Sequence, residues 1–334
     1  ILRFWEDKQL GIDNSLGGIR AHIKPISALN VTALYGKQRK GFDYSSGLIF
    51  GLNSEFDLGT ALKLENENIS LGASFVSREQ ELDDTSSNVP SRSSAYSGRL
   101  AYSNDHFYSK FEYVHKTKDA LVELGALNNT SVNSGNGLLV NTGYSKKGFG
   151  LDVNFRRVEN MGFYSDREST GNIYNEQMIN YIPALTNQYD YSLANIYLYQ
   201  SQYHLSFNPL NKSWEIGNQA TLYYSFKRNS KLGGRYGTKL ALNFSNWYGL
   251  DAIYDPINRS YSTKYFGFGK RYFTELNLEV RKKWSKNWSG IFNAINLYYN
   301  KRIIEETSGE VNAVLLMADV TYNYQSIRSL RFEV

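Results

Sequence analysis

The sequence predicts an all-β fold, a transmembrane antiparallel up-and-down β-barrel of about 14–16 strands. Three observations carry the prediction: a two-residue alternation of apolar and polar side chains, connections of two sizes that take turns along the chain, and a high aromatic content, with 27 Tyr and 18 Phe in 334 residues. Side chains of a strand point to opposite faces, so alternation marks a segment with one apolar and one polar side.

The clearest alternation runs from Tyr272 to Trp284. Tyr272, Thr274, Leu276, Leu278 and Val280 fall on one side, and Phe273, Glu275, Asn277, Glu279, Arg281 and Lys283 on the other. The pattern recurs with Ile19, Ala21 and Ile23 against Arg20, His22 and Lys24, and with Phe107, Phe111 and Tyr113 against Lys110, Glu112 and Lys116. It returns with Phe149, Leu151, Val153 and Phe155 against Asp152, Asn154 and Arg156, then with Leu240, Leu242 and Phe244 against Lys239, Asn243 and Ser245. Val314, Leu316, Val320 and Tyr322 oppose Asp319, Thr321 and Asn323 near the end. No window of comparable length follows the helical period.

Short connections are expected at Lys24–Ser27, Asn104–His106, Ser145–Lys147, Asn208–Lys212 and Ser285–Asn287, each carrying turn-forming residues. Long ones are expected at Glu79–Arg92, Thr117–Gly135, Glu159–Asp190 and Arg302–Glu310. Outer-membrane barrels alternate in this way, with short turns on the periplasmic side and long loops outside. The order breaks between Trp247 and Gly269 unless Ser260–Phe266 forms an additional strand, and Asp57–Asn68 has no clear assignment. Even strand numbers are the rule for such barrels, which favours 14 or 16. The loop at Glu159–Asp190 is long enough to fold back into a lumen.

Charged residues make up 21% and hydrophobic ones 41%. The mean hydropathy of −0.47 is compatible with a barrel, where every second strand residue is polar. It excludes a helical bundle in lipid: the longest apolar run, Ala313 to Ala318, is far short of the ~20 residues a spanning helix needs. Only 5 Pro interrupt the chain, and the absence of Cys rules out disulfides and thiolate chemistry. The net charge is +5, but Lys and Arg are interleaved with Asp and Glu rather than gathered in a stripe, so no nucleic-acid partner is expected. No fixed-period repeat or linker divides the chain, so residues 1–334 read as one barrel domain. The sequence opens at Ile1 without an initiator Met or signal peptide, as in an exported chain after processing or a segment of a longer one.

Catalytic and metal chemistry have little support. His22, His106, His115 and His204 show no metal-ligand spacing. His115 with Asp119, and His204 with Ser206, are the pairings a barrel-wall hydrolase would need, and neither spacing is specific. Glu81, Asp83 and Asp84 read as a solvated acidic loop rather than a cation site. Gly233, Gly234 and Gly237 lack the following helix of a phosphate loop. No catalytic residue, metal ligand or cofactor is therefore assigned. The candidate lumen-lining residues are Arg99, Lys110, Glu112, Asp152, Arg156, Lys239, Glu275, Glu279 and Arg281. Their mixed signs suit a general water-filled pore or a lumen closed by ion pairs, not a filter for one ion type.

Several stretches resemble a family of Bacteroidota outer-membrane β-barrels known only as a domain of unknown function. They are Leu10–Leu16 (LGIDNSL), Ala33–Arg39 (ALYGKQR), Ile179–Thr186 (INYIPALT), Leu232–Thr238 (LGGRYGT), Lys282–Lys286 (KKWSK) and Tyr299–Lys301 (YNK). The resemblance implies the outer membrane of a Gram-negative, Bacteroidota-type bacterium. It supplies no catalytic residue or substrate, and it implies longer members, with sequence before Ile1 and after Val334. The leading expectation is a non-enzymatic barrel in contact with outer-membrane lipid and other envelope proteins, acting as a structural or accessory subunit in assembly, secretion or uptake. A porin-like channel for small polar solutes is the alternative, and a barrel-wall hydrolase the lesser one.

Overall fold

The computed structural model describes residues 16–40, 43–81, 89–123, 126–167, 214–258, 260–305, 307–325 and 328–334. Fourteen strands follow one another: β1 Leu16–Ile26, β2 Leu29–Lys40, β3 Asp43–Asp57, β4 Asn68–Glu79, β5 Arg92–Ser103, β6 Phe107–Glu123, β7 Ala126–Lys146, β8 Phe149–Glu159, β9 Glu215–Phe226, β10 Thr238–Asp255, β11 Ser260–Lys283, β12 Trp288–Tyr299, β13 Val311–Gln325 and β14 Arg328–Glu333. Each pairs antiparallel with its neighbours in chain order, giving one up-and-down sheet. Two short helices interrupt it, α1 Leu58–Leu62 and α2 Lys301–Ile304. Among the described residues β1 pairs only with β2, and β14 only with β13. No helix among them is long and apolar enough to cross a membrane.

Local chemistry explains the turns. Asn104 Oδ1 accepts from the backbone of His106 and Phe107 at 3.0 and 2.7 Å, closing the β5–β6 turn. Ser285 Oγ does the same for Asn287 and Trp288 between β11 and β12. Asp57 caps α1, accepting from Thr60 N at 2.9 Å, and Lys63 ends it at φ 55°. The stretch 57–68 is thus a capped helical turn. Ser260–Phe266 is no additional strand but the first part of β11, a 24-residue strand. The expected long loop at Thr117–Gly135 is mostly strand: β6 and β7 continue pairing to Glu123 and Ala126. Ladder hydrogen bonds outweigh the turn-like composition of that segment. The expected turn at Asn208–Lys212 lies outside the described residues.

The two faces separate cleanly. Outward rows include Leu151, Leu222, Leu242, Leu278, Ala294 and Leu316, each opposite the next in register. Near the short-turn end the outer face carries aromatic neighbours: Tyr144 with Phe149 at 6.2 Å, Tyr224 with Phe226 at 4.8 Å, Trp284 with Phe292 at 5.9 Å and Trp288 with Tyr322 at 4.7 Å. Farther up, Phe50, Phe75 and Tyr96 form a second group at 5.9 and 5.1 Å. Tyr96 and Tyr102 on β5 stand six residues apart, about 20 Å along an extended strand. The inner face holds polar and ionic side chains, with an apolar cluster of Trp247, Phe273, Ile295, Leu297 and Tyr299 toward β10–β12.

Candidate functional site

The most heavily built feature of the inner face begins where β8 ends. Asn160 takes φ 45°, a left-handed conformation that Asn tolerates better than most residues, and the chain turns inward there. Its side-chain amide donates to the carbonyls of Asn133 and Ser134 on β7 at 2.8 and 3.1 Å. Residues 160–167 then cross the inner face from β7 to β3 as a buried strap. Met161 and Phe163 are fully buried and pack against Ile49, Ala95, Val114 and Val158. Two glycines let the strap lie against the sheet. A Cβ at Gly135 would stand 2.1 Å from the Asn160 carbonyl, and one at Gly47 would stand 1.8 Å from that of Ser165.

Charged side chains pin the strap along its length. Arg78 on β4 donates to the Tyr164 carbonyl at 2.7 Å and to Asp119 at 2.8 Å, with its guanidinium 5.5 Å from the Phe163 ring. Lys116 on β6 donates to the Gly162 carbonyl at 2.8 Å. Arg167, at the end of the strap, reaches Asp119 at 3.1 Å and the Pro90 and Gln80 carbonyls at 2.7 and 3.0 Å. Gln80 in turn donates to Asp166 at 2.9 Å and accepts from Arg167 N. Asp119 thus bridges two arginines whose side chains are fully buried. A buried charge costs several kcal/mol when unpaired, so this arrangement holds together only as a set. Burial also pushes the Tyr164 hydroxyl well above the usual phenol range, keeping it protonated.

The register places all nine candidate lumen residues on this same inner face. Arg99 stands opposite Glu112 and reaches Glu55, Asn53, Ser74 and Ser97. Lys110 starts a row that passes through Asn141, Asn154, Gln219 and Ser245 to Glu275. Asp152 accepts from the Tyr108 hydroxyl at 2.9 Å, Arg156 pairs with Glu215, and Glu275 accepts from Asn243 at 3.2 Å. Arg281 pairs with Glu279, and Lys239 stands directly opposite Arg281. The nine do not converge on one point; they spread over the wall from β5 to β11.

The residues that hold the strap, Arg78, Lys116, Asp119 and Arg167, are not among the candidate lumen residues: the sequence marks Lys116 only as polar-face and Asp119 only as a hydrolase partner of His115. Inner-face glycines at Gly47 and Gly135 were the available signal, since a glycine within a strand marks close backbone approach. The His115–Asp119 pairing is not built. His115 lies opposite exposed Tyr96 on the outer face, whereas Asp119 is buried inside with Arg78. His204, Ser206, Asp83 and Asp84 lie outside the described residues. Among the described residues no cluster of three His, Asp or Glu side chains could hold a metal ion.

Fold and site together define an up-and-down antiparallel β-barrel-type protein with a strap tied across its inner face. The chain belongs to the family of unknown function DUF6029, whose profile matches residues 1–334. Among solved structures, CdiB from Acinetobacter baumannii is similar at 10% sequence identity and a TM-score of 0.32, over 89% of this chain and 48% of that one. The chain therefore spans about half the length of CdiB. No curated protein matches the chain.

Proposed function

We propose that this chain is a non-enzymatic outer-membrane β-barrel whose lumen is obstructed at the long-loop end, serving as a structural or accessory subunit of a larger envelope complex. The observation that carries the reading is the buried strap, held by Arg78, Lys116, Asp119 and Arg167 across five strands. A diffusion pore needs an open water path, and a strap of this burial removes space from it. The membrane placement is supported by the apolar outer rows and the two aromatic groups; the Gram-negative, Bacteroidota-type cell is what the family resemblance implies. Outer-membrane barrels carry such girdles around an apolar band of about 25 Å.

Two measurements test the reading. In planar bilayers the purified protein is expected to give no steady conductance, and purification in mild detergent is expected to retain stoichiometric envelope partners. A steady open pore would transfer the assignment to the porin-like channel, which the solvent-exposed inner-face cations Lys110 and Lys239 favour. The membrane placement has its own test. Leu278→Arg puts a charge on the outer face and is expected to cost about 2–4 kcal/mol of folding stability in lipid vesicles if it lies near the midplane. A change below a few tenths of a kcal/mol there would show that this face meets water.

A further inference from the structure

Several arginines elsewhere on the inner face are matched: Arg78 and Arg167 by Asp119, Arg99 by Glu55, Arg156 by Glu215. The short-turn end departs from this. A cavity of about 490 Å³ opens there, and Arg228, Lys239, Arg281, Lys282 and Lys283 contribute to its lining. Asp319 is the one carboxylate among its lining residues, and Arg331 already holds it at 2.6 Å. Lys239 and Arg281 stand directly opposite on paired strands, a like-charge placement that destabilises a sheet unless an anion intervenes. Glu279 pairs with Arg281. The side chains of Arg228 and Lys239 have no hydrogen-bond or ion-pair partner among the described residues.

The cavity is also preorganised. The β9–β10 connection, which supplies Arg228 and Tyr236, is closed by the Ser230–Gly234 bridge and turns at Gly234 and Gly237 with φ 61° and 88°. Lys282 locks it to β11, donating to the Leu232 and Gly233 carbonyls at 2.9 and 3.0 Å and to the Thr238 hydroxyl at 2.6 Å. Lys283 lies 5.7 Å from the Tyr236 ring, leaving its ammonium hydrogens available to an incoming acceptor. Segments some 50 residues apart, Leu232–Thr238 and Lys282–Lys283, thus meet to hold cations around an open volume.

We propose that this short-turn mouth is a binding site for a small polyanion, a ligand carrying two or more phosphate or carboxylate groups. Arg228 and Lys239 make the direct charge-assisted contacts, Lys283 and Arg281 flank them, and Ile291 gives the ligand body an apolar floor. The site lies at the opposite end of the wall from the strap, so it stands whether or not the lumen conducts.

Isothermal titration of the full chain, folded in detergent micelles at low ionic strength, tests it with tripolyphosphate and citrate as separate probes. Saturable binding of at least one probe is expected, at least about tenfold weaker in the Arg228→Gln/Lys239→Gln variant and unchanged in Lys110→Gln, an inner-face cation outside the cavity. The tighter probe assigns the ligand to phosphates or carboxylates. Absence of saturable binding with both probes overturns the proposal. So does undiminished binding by the double variant, or an equal loss in Lys110→Gln, which would mean a diffuse charge effect. Both substitutions are at exposed positions, and an unchanged melting profile checks that the variant is folded.

Discussion

Asp119→Ala is expected to free the strap and to destabilise the protein by about 3–5 kcal/mol, the range for breaking a buried ionic set from one side. The substitution leaves Arg78 and Arg167 buried with no shared carboxylate, since Asp119 is the side chain that meets both. Their other contacts include backbone carbonyls, at Tyr164 for Arg78 and at Pro90, Gln80 and Ser91 for Arg167. Carbonyls accept hydrogen bonds but do not neutralise two guanidinium charges. The route to relief is withdrawal of Arg167 into water, which carries residues 160–167 with it. Urea unfolding from lipid vesicles, followed by tryptophan fluorescence, reads the stability change. Protease cleavage between Met161 and Arg167 reads the release, and conductance in planar bilayers reads its consequence for the lumen. Retained protection and an unaltered urea midpoint would mean the network does not hold the strap.

The wall was legible in the sequence, and the strap only as a loop long enough to fold back, for a physical reason. A strand writes its two faces into neighbouring residues, so Tyr272 to Trp284 shows its apolar and charged sides without any partner. Even there tertiary pairing adds what local pattern cannot. Trp247 pairs with Phe273 and Tyr248 with Arg271, so Tyr272 is the extra residue of a bulge, and it is fully buried rather than outward. The strap has no period to read. Its eight residues are placed by groups far away in sequence, with Arg78 86 positions from Tyr164 and Gln80 86 positions from Asp166. The signs of the inner charges were likewise readable, but not their pairing. Arg99 finds Glu55 across two strand boundaries, and Arg156 finds Glu215 across the β8–β9 connection. Such matches depend on register, which a single strand does not encode. The excess of cations at the short-turn mouth comes from the same cause, since Lys239 and Arg281 become neighbours only when β10 meets β11.

Gly47→Ala and Gly135→Ala are expected to displace the strap by sterics rather than charge, each costing about 1–3 kcal/mol. Neither glycine takes a positive φ, so alanine suits the strand itself, and in an unobstructed sheet the substitution would stabilise by roughly 0.5–1 kcal/mol. The opposite sign is expected because the added methyl meets backbone, the Ser165 carbonyl at 1.8 Å or the Asn160 carbonyl at 2.1 Å, which cannot rotate away as a side chain can. The sign therefore reports whether the strap is seated. Combining Gly47→Ala with Asp119→Ala sharpens the test, because both act on the same eight residues and their effects should not add. Once Asp119→Ala has released the strap, Gly47→Ala has nothing left to strike, and its cost should shrink to zero or reverse. Full additivity in the same urea experiment would place the strap elsewhere in the folded protein. A coupling of about 1–3 kcal/mol would tie the carboxylate on β6 and the glycine on β3 to one mobile element.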